Sequence, residues 1–289
     1  MRTSGLLKLL GAVLATLLVG SATAQPNPAP ADLVFPTEAS ELSLFSPLRM
    51  GIWKPPGAGP FPALIIVHSC GGLKRQISYW RGEAVKRGYV ALVIDSFSSR
   101  GSPSCRPVPP VTMARGVKDV LDASAHLRTF AFVDKSKIAT IGFSWGAMVG
   151  MMAASPSFAA QAAPALAPVA ATVALYPACF IAPFGASQGS EYLRSDISTP
   201  TLLLLGGQDT ETPPSECDSR LAPLKERNAP VEAYTYADAT HCWDCSDQHN
   251  QRWSPPWAGG RQVVYLYNSK VTDDSADRAF EFLQRRLKP

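Results

Sequence analysis

Gly142-Phe143-Ser144-Trp145-Gly146 sets a hydroxyl where it can do chemistry. The apolar run Lys137-Ile-Ala-Thr-Ile141 before it reads as a strand, and Trp145 to Ala154 after it as a helix. In that context G-x-S-x-G makes a turn so sharp that the serine is strained and its hydroxyl is pushed outward. Glycines two before and two after the serine let strand and helix approach without Cβ clashes. The helix N-terminus behind Ser144 favours negative charge in front of it. A serine hydroxyl is a weak nucleophile and needs a base.

Four histidines are available, at 68, 126, 241 and 249. Sites built on this turn run serine, acid, histidine along the chain, which excludes His68 and His126. His241 follows the run Val231 to Tyr236 and lies nearer a strand end than His249, so it is the expected base. The acid should follow a strand between Ser144 and His241. Thr201-Leu-Leu-Leu-Leu205 followed by Gly206-Gly207-Gln208-Asp209 fits, with Glu211 as the near rival. Asp209 would orient the imidazole and stabilise its charged form. Two backbone donors are needed for the developing oxyanion. The amide of Trp145 is one. The loop His68-Ser69-Cys70-Gly71-Gly72 should supply the other, at Cys70.

A competing chemistry is written into the same stretch. His241, Cys242, Cys245 and His249 offer two imidazoles and two thiols within nine residues, a set that could hold zinc. Structural zinc sites usually draw on two separated pairs, and metal there would occupy the expected base. Catalysis without metal or other cofactor is therefore the expected use of His241.

These residues need a scaffold that converges on one crevice. Short apolar runs at 63–67, 89–94, 137–141, 171–176 and 201–205, and the run 231–236, alternate with helix candidates at 76–87, 111–130, 145–154, 214–227 and 275–287. Runs apolar throughout suit strands buried on both faces. The alternation predicts an α/β fold: a mostly parallel central sheet with helices on both faces. Ligands then bind beyond the carboxyl ends of the strands, where the loops bearing Cys70, Ser144, Asp209 and His241 all lie. Short stretches from Glu41 to Lys54 suggest edge strands.

The chain has 289 residues and a formal net charge of +4, half of it from Arg2 and Lys8. So small a charge makes no electrostatic case for nucleic acid. Residues 1–24 carry a basic start, an apolar run from Leu9 to Val19 and Ala22-Thr23-Ala24, which reads as a secretory signal peptide. Residues 25–40 begin rich in Pro and Ala and read as a disordered leader, and residues 41–289 as one domain with no membrane attachment once the signal is removed. A periplasmic or secreted chain with six cysteines is expected to form disulfides. Six allow 15 pairings. Cys70–Cys105, Cys179–Cys217 and Cys242–Cys245 are the expected ones, the first two tying loops at one end of the sheet.

From about Pro62 to Leu287 the chain resembles the dienelactone hydrolase family of α/β-hydrolases. The resemblance rests on His68-Ser-Cys-Gly-Gly72, Asp95-Ser-Phe97 with Arg100-Gly101, Gly142-Phe-Ser-Trp-Gly146, Gly207-Gln-Asp209 and His241. It implies the α/β-hydrolase fold, hydrolysis of small-molecule carboxylic esters or lactones, a Ser144–Asp209–His241 triad and oxyanion donors at Cys70 and Trp145. It also implies that Arg100 holds a substrate carboxylate. Founding members carry cysteine as nucleophile and glutamate in the oxyanion loop, where this chain has Ser144 and Ser69, so the family name does not name the substrate. A non-catalytic binding protein on the same scaffold would not need the complete, ordered triad. A polyester or polysaccharide esterase would find an aromatic lip in the segment bearing Trp243, Trp253 and Trp257.

Overall fold

The computed structural model describes residues 31–105, 111–181, 189–255 and 260–287. Central apolar strands that bury both faces, flanked by more exposed edge strands, assemble into an eight-stranded sheet. Its members are β1 (Ala39–Glu41), β2 (Gly51–Lys54), β3 (Phe61–Val67), β4 (Val90–Ile94), β5 (Val133–Phe143), β6 (Ala171–Leu175), β9 (Thr201–Gly206) and β10 (Val231–Tyr236). The spatial order is β1-β2-β4-β3-β5-β6-β9-β10. Only β2 and β4 pair antiparallel; the other neighbours are parallel. Two small antiparallel ribbons, β7 (Phe180–Ile181) with β8 (Ser190–Glu191) and β11 (Gln251–Trp253) with β12 (Val263–Tyr265), lie outside the sheet.

Alternate side chains of each strand feed two cores. Ile65 and Val67 of β3 face a layer built with α2 (Met113–Leu127), α3 (Trp145–Ala153) and α5 (Ser215–Glu226). Leu64 and Ile66 face the opposite layer, with α1 (Arg75–Lys86) and α6 (Ser269–Arg286). This period-2 division explains why the central strands read as unbroken apolar runs. Helix α3 is buried along its whole length, so its charge-free sequence packs all round.

Several boundaries differ from expectation. β5 begins four residues early because its polar start, Asp134 to Lys137, is the exposed end of a strand that pairs with Phe61 before a bulge. α6 starts at Ser269, six residues early, because Asn268 caps it by accepting from the Val271 amide at 3.2 Å. The short helix α4 (Pro156–Ala162), capped by Ser155, was not anticipated.

Of the segment expected as a disordered leader, residues 25–30 lie outside the described residues, and residues 31–40 make packed contacts. Leu33 is buried, and Phe35 stacks on the His126 ring at 5.3 Å. His126 Nε2 donates to the Pro36 carbonyl at 2.8 Å, and Asp32 pairs with Arg115 at 2.6 Å. The Pro/Ala composition hid two apolar anchors that α2 was waiting to receive. The expected signal peptide, residues 1–24, lies outside the described residues. Replacing Leu33 and Phe35 together by alanine is expected to lower the unfolding free energy by about 2–4 kcal/mol. A urea denaturation midpoint that does not move would show the segment to be unattached.

Candidate active site

Ser144 stands between β5 and α3 with φ 50° and ψ −110°, in the left-handed half of backbone space that a serine adopts only under constraint. The cause is packing. A Cβ on Gly146 would lie 2.4 Å from the Val67 carbonyl, and one on Gly142 would lie 2.2 Å from the Gly146 carbonyl. Strand and helix therefore touch backbone to backbone, and the serine at their junction is turned out to the head of the sheet.

His241 lies on the loop after β10. Its Nε2 is 3.1 Å from Ser144 Oγ and its Nδ1 is 2.7 Å from Asp209 Oδ2. The carboxylate accepts from Nδ1–H, which leaves Nε2 of the neutral ring to accept from the serine hydroxyl. Asp209 is itself held on every side. Its Oδ1 accepts from the amides of Glu211 and Thr212, both at 2.8 Å, and its Oδ2 also accepts from Thr212 Oγ1 at 2.7 Å. Four bonds fill the acceptor sites of one carboxylate, so it has no freedom to turn. Ser144, Asp209 and His241, named from the sequence, thus meet in one hydrogen-bonded line, all three buried.

Burial works against a charge on His241, yet the facing carboxylates of Asp209 and Glu211 outweigh it and raise the imidazole to about 9. Glu211 is the rival acid of the sequence reading. Its Oε2 lies 3.7 Å from His241 Nε2, on the serine side of the ring, and accepts from Tyr265 OH at 2.6 Å. It is an electrostatic neighbour of the imidazole, while Asp209 holds the orienting place.

The loop after β3 carries Cys70 to the same spot. Cys70, Gly71 and Ser69 line a cleft of about 250 Å³ with Ser144, Glu211, His241, Cys242, Gln248, Gln251, Trp253 and Tyr265. The Cys70–Cys105 disulfide and a bond from the Cys105 amide to the Cys70 carbonyl at 2.9 Å tether that loop. The Trp145 amide opens α3, where first-turn donors have no helical acceptor. The Trp145 side chain is buried away from the cleft between His68 and Phe97.

Arg100 is elsewhere. The resemblance implied a substrate-carboxylate contact, but both terminal nitrogens of the Arg100 guanidinium sit on the buried Asp119 at 2.8 Å, and the side chain is 5% exposed. Planar bidentate pairing with a fully buried carboxylate spends the guanidinium on the α2 packing. It does not line the cleft.

The residues of the zinc alternative have other partners. Cys242 and Cys245 are bonded to each other, and His249 Nδ1 accepts from the Tyr267 amide at 3.0 Å. The bridges Cys70–Cys105 and Cys179–Cys217 also form as expected. Of the aromatic segment, Trp243 is buried core, Trp253 lines the cleft edge-on to Tyr265 at 4.7 Å, and Trp257 lies outside the described residues.

Sequence reading missed the shell behind the histidine. Tyr176, at the end of β6 with φ 40°, sets its ring against His241 at 4.7 Å and donates its hydroxyl to Asp244 at 2.8 Å. Trp80 Nε1 donates to the other Asp244 oxygen at 2.7 Å. Asp244 is buried, and that burial raises its carboxyl. Only the Thr placed three residues after Asp209 left a sequence signal, a hydroxyl well spaced to close a turn on the acid.

The dienelactone hydrolase family model matches residues 49–287. A Yersinia pestis protein named "Putative carboxymethylenebutenolidase" is 24% identical over 203 residues, covering 64% of this chain and 70% of that one. A protein of the same name from Escherichia coli K12 is also 24% identical, covering 64% and 69%. Among solved structures, Thermogutta terrifontis esterase 2 phosphorylated by paraoxon superposes with a TM-score of 0.60 at 17% identity, covering 82% of this chain and 89% of that one.

His241, observed by NMR, is expected to titrate near pH 9, and Glu211→Gln to lower that midpoint, because a carboxylate that favours the imidazolium is gone. A folded-state value above the ordinary 6.5 stabilises the fold fully below pH 6.5. That contribution is lost as pH rises through about 9. An unchanged midpoint in Glu211→Gln would contradict the electrostatic role of Glu211.

Proposed function

The chain belongs to the dienelactone hydrolase family and hydrolyses ester bonds, and from that premise we propose that it does so through an acyl-enzyme on Ser144. The observation that carries the reading is the continuous line Ser144 Oγ–His241 Nε2 at 3.1 Å and His241 Nδ1–Asp209 Oδ2 at 2.7 Å. Ser144 Oγ attacks the ester carbonyl carbon while Nε2 takes its proton. Asp209 stabilises the imidazolium and keeps its tautomer. The amides of Cys70 and Trp145 receive the oxyanion. Collapse expels the alcohol, which takes the proton from Nε2. Water then attacks the acyl-enzyme with His241 again as base, and Ser144 is regained. The reading assigns no cofactor.

Glu211 makes the imidazolium cheaper to form during attack, but it also keeps His241 protonated in the resting site. Activity is therefore governed by the same ionisation and rises toward pH 9. The cleft of about 250 Å³ is small beside pockets of roughly 300–1,000 Å³ that bury drug-sized ligands, which supports a small ester or lactone as substrate.

Three disulfides fit an oxidising compartment, and none of the described helices is long and apolar enough to cross a membrane. With Arg2, Lys8, the apolar run and Ala22-Thr23-Ala24, they support export with cleavage after Ala24. N-terminal sequencing of protein recovered from periplasm or medium is expected to begin at Gln25; a retained Met1 would refute cleavage.

Ser144→Ala is expected to lower hydrolysis of short-chain p-nitrophenyl esters by at least about a thousandfold. A fluorophosphonate is expected to label the wild type at Ser144 and leave the variant unlabelled. Activity retained within about tenfold would overturn the nucleophile assignment.

A further inference from the structure

His68 takes no part in the triad, yet it is fully buried, and its ring touches both the Ser69 carbonyl and the Trp145 side chain. Its hydrogen bonds leave no ambiguity about its state. The Ser96 amide can only donate, and it points at His68 Nε2 from 3.0 Å. Nε2 is therefore unprotonated, and the ring proton sits on Nδ1, which donates to the Ser69 carbonyl at 2.7 Å. Burial, the dominant influence, holds the imidazole below its ordinary pKa and keeps this neutral form, although Asp95 lies 3.8 Å away.

The acceptor is the informative group. The Ser69 carbonyl and the Cys70 N–H belong to one planar trans peptide, in which they point in opposite directions. Whatever pins the carbonyl aims the amide. The Ser69 oxygen is pinned twice, by His68 Nδ1 and by the Gly72 amide at 3.0 Å. The same imidazole stacks on Trp145, centroids 5.6 Å apart and planes 15° from parallel. The His68 carbonyl meets the first turn of α3, where a Cβ on Gly146 would approach it to 2.5 Å. One side chain thus touches both elements that bear the oxyanion donors.

We propose that His68 is a positioning residue for the oxyanion hole: as a neutral Nδ1–H donor to the Ser69 carbonyl it fixes the peptide plane that aims the Cys70 amide, while its ring seats Trp145. This rests on the reading of Ser144 as nucleophile with Cys70 and Trp145 as donors. The effect appears when the oxyanion forms, so it belongs to kcat rather than to ground-state binding.

Three variants separate this from a merely structural role. Phenylalanine keeps the ring against Trp145 and removes both nitrogens. An asparagine carboxamide can place N–H where Nδ1 stood, and a glutamine carboxamide reaches the place of Nε2. With active sites counted by fluorophosphonate titration, His68→Phe is expected to lower kcat for a p-nitrophenyl ester roughly 10- to 100-fold with KM within about threefold. His68→Asn is expected to regain at least about half of that loss on a logarithmic scale, and His68→Gln to resemble His68→Phe.

Stability orders the variants differently, because His68→Asn gives up the ring packing that His68→Phe keeps. The more active variant is therefore the one that melts lower. The affinity of 1,1,1-trifluorohexan-2-one, whose adduct with Ser144 places an oxyanion in the hole, is expected to fall by the same factor as kcat/KM. A kcat per titrated site within twofold of wild type in His68→Phe, or no advantage of His68→Asn over His68→Gln, overturns the proposal. The second comparison decides it even if the phenylalanine variant does not fold. If the wild type labels at Ser144 while these variants lose nothing, only the role of His68 falls. If the wild type takes no label, the serine reading falls and this role falls with it.

Discussion

The contact between Gly146 and the carbonyls of Val67 and His68 is the constraint from which the rest of the site follows. It lets α3 descend onto the end of β3 closely enough that no side chain fits between them. That approach forces Ser144 into φ 50° and directs its hydroxyl away from both elements. It also brings the loop after β3 within reach of the first amide of α3. A methyl group at residue 146 would separate strand and helix and move Ser144 and the Cys70 loop together. The sheet order places β3 and β5 side by side in the middle of the domain, where both faces are packed and neither can yield.

Against this rigid serine, His241 is supported electrostatically. Burial alone would leave His241 neutral and a weak partner for the charge that forms on attack. Two carboxylates reverse that balance. They are not equivalent. Asp209 is saturated by four hydrogen bonds and fixes direction, whereas Glu211 stands on the serine side, tied to Tyr265, and adjusts proton affinity. Behind the ring, Tyr176 and Asp244 join the histidine loop to β6 and, through Trp80, to α1. The histidine is thus carried on a loop but braced by the core.

Buried ion pairs are divided between chemistry and architecture in a way that residue type does not announce. Arg100 sits among residues that resemble a substrate-binding stretch, yet Asp119 on α2 neutralises it completely. Asp119 is 19 residues from Arg100 and invisible as a partner until α2 is laid across the sheet. Cys242 and Cys245, spaced as metal ligands, become a bridge that closes the turn after His241. Leu33 and Phe35, embedded in a Pro/Ala-rich stretch, become anchors because α2 presents His126 and an apolar face to them.

The alternation of strand and helix, the sharp turn at Ser144, the chain order of Ser144, Asp209 and His241 and the loop that bears Cys70 were all legible in the sequence alone. Each is a local property: period-2 burial, a Gly-Ser-Gly turn, a residue at a strand end. Tertiary structure alone decided where polar groups point and with what they pair. Asp209 and Glu211 are two residues apart on one loop, and only the fold sets one on Nδ1 and the other near Nε2. Chain order sets His68 aside as a base, and its ring lies outside the line Ser144–His241–Asp209. Its hold on the Ser69 carbonyl became visible only when Ser96, on another strand's loop, fixed its tautomer. The groups that pair with Arg100, His241 and Asp244 lie far from them in sequence, so no local pattern encodes those pairings.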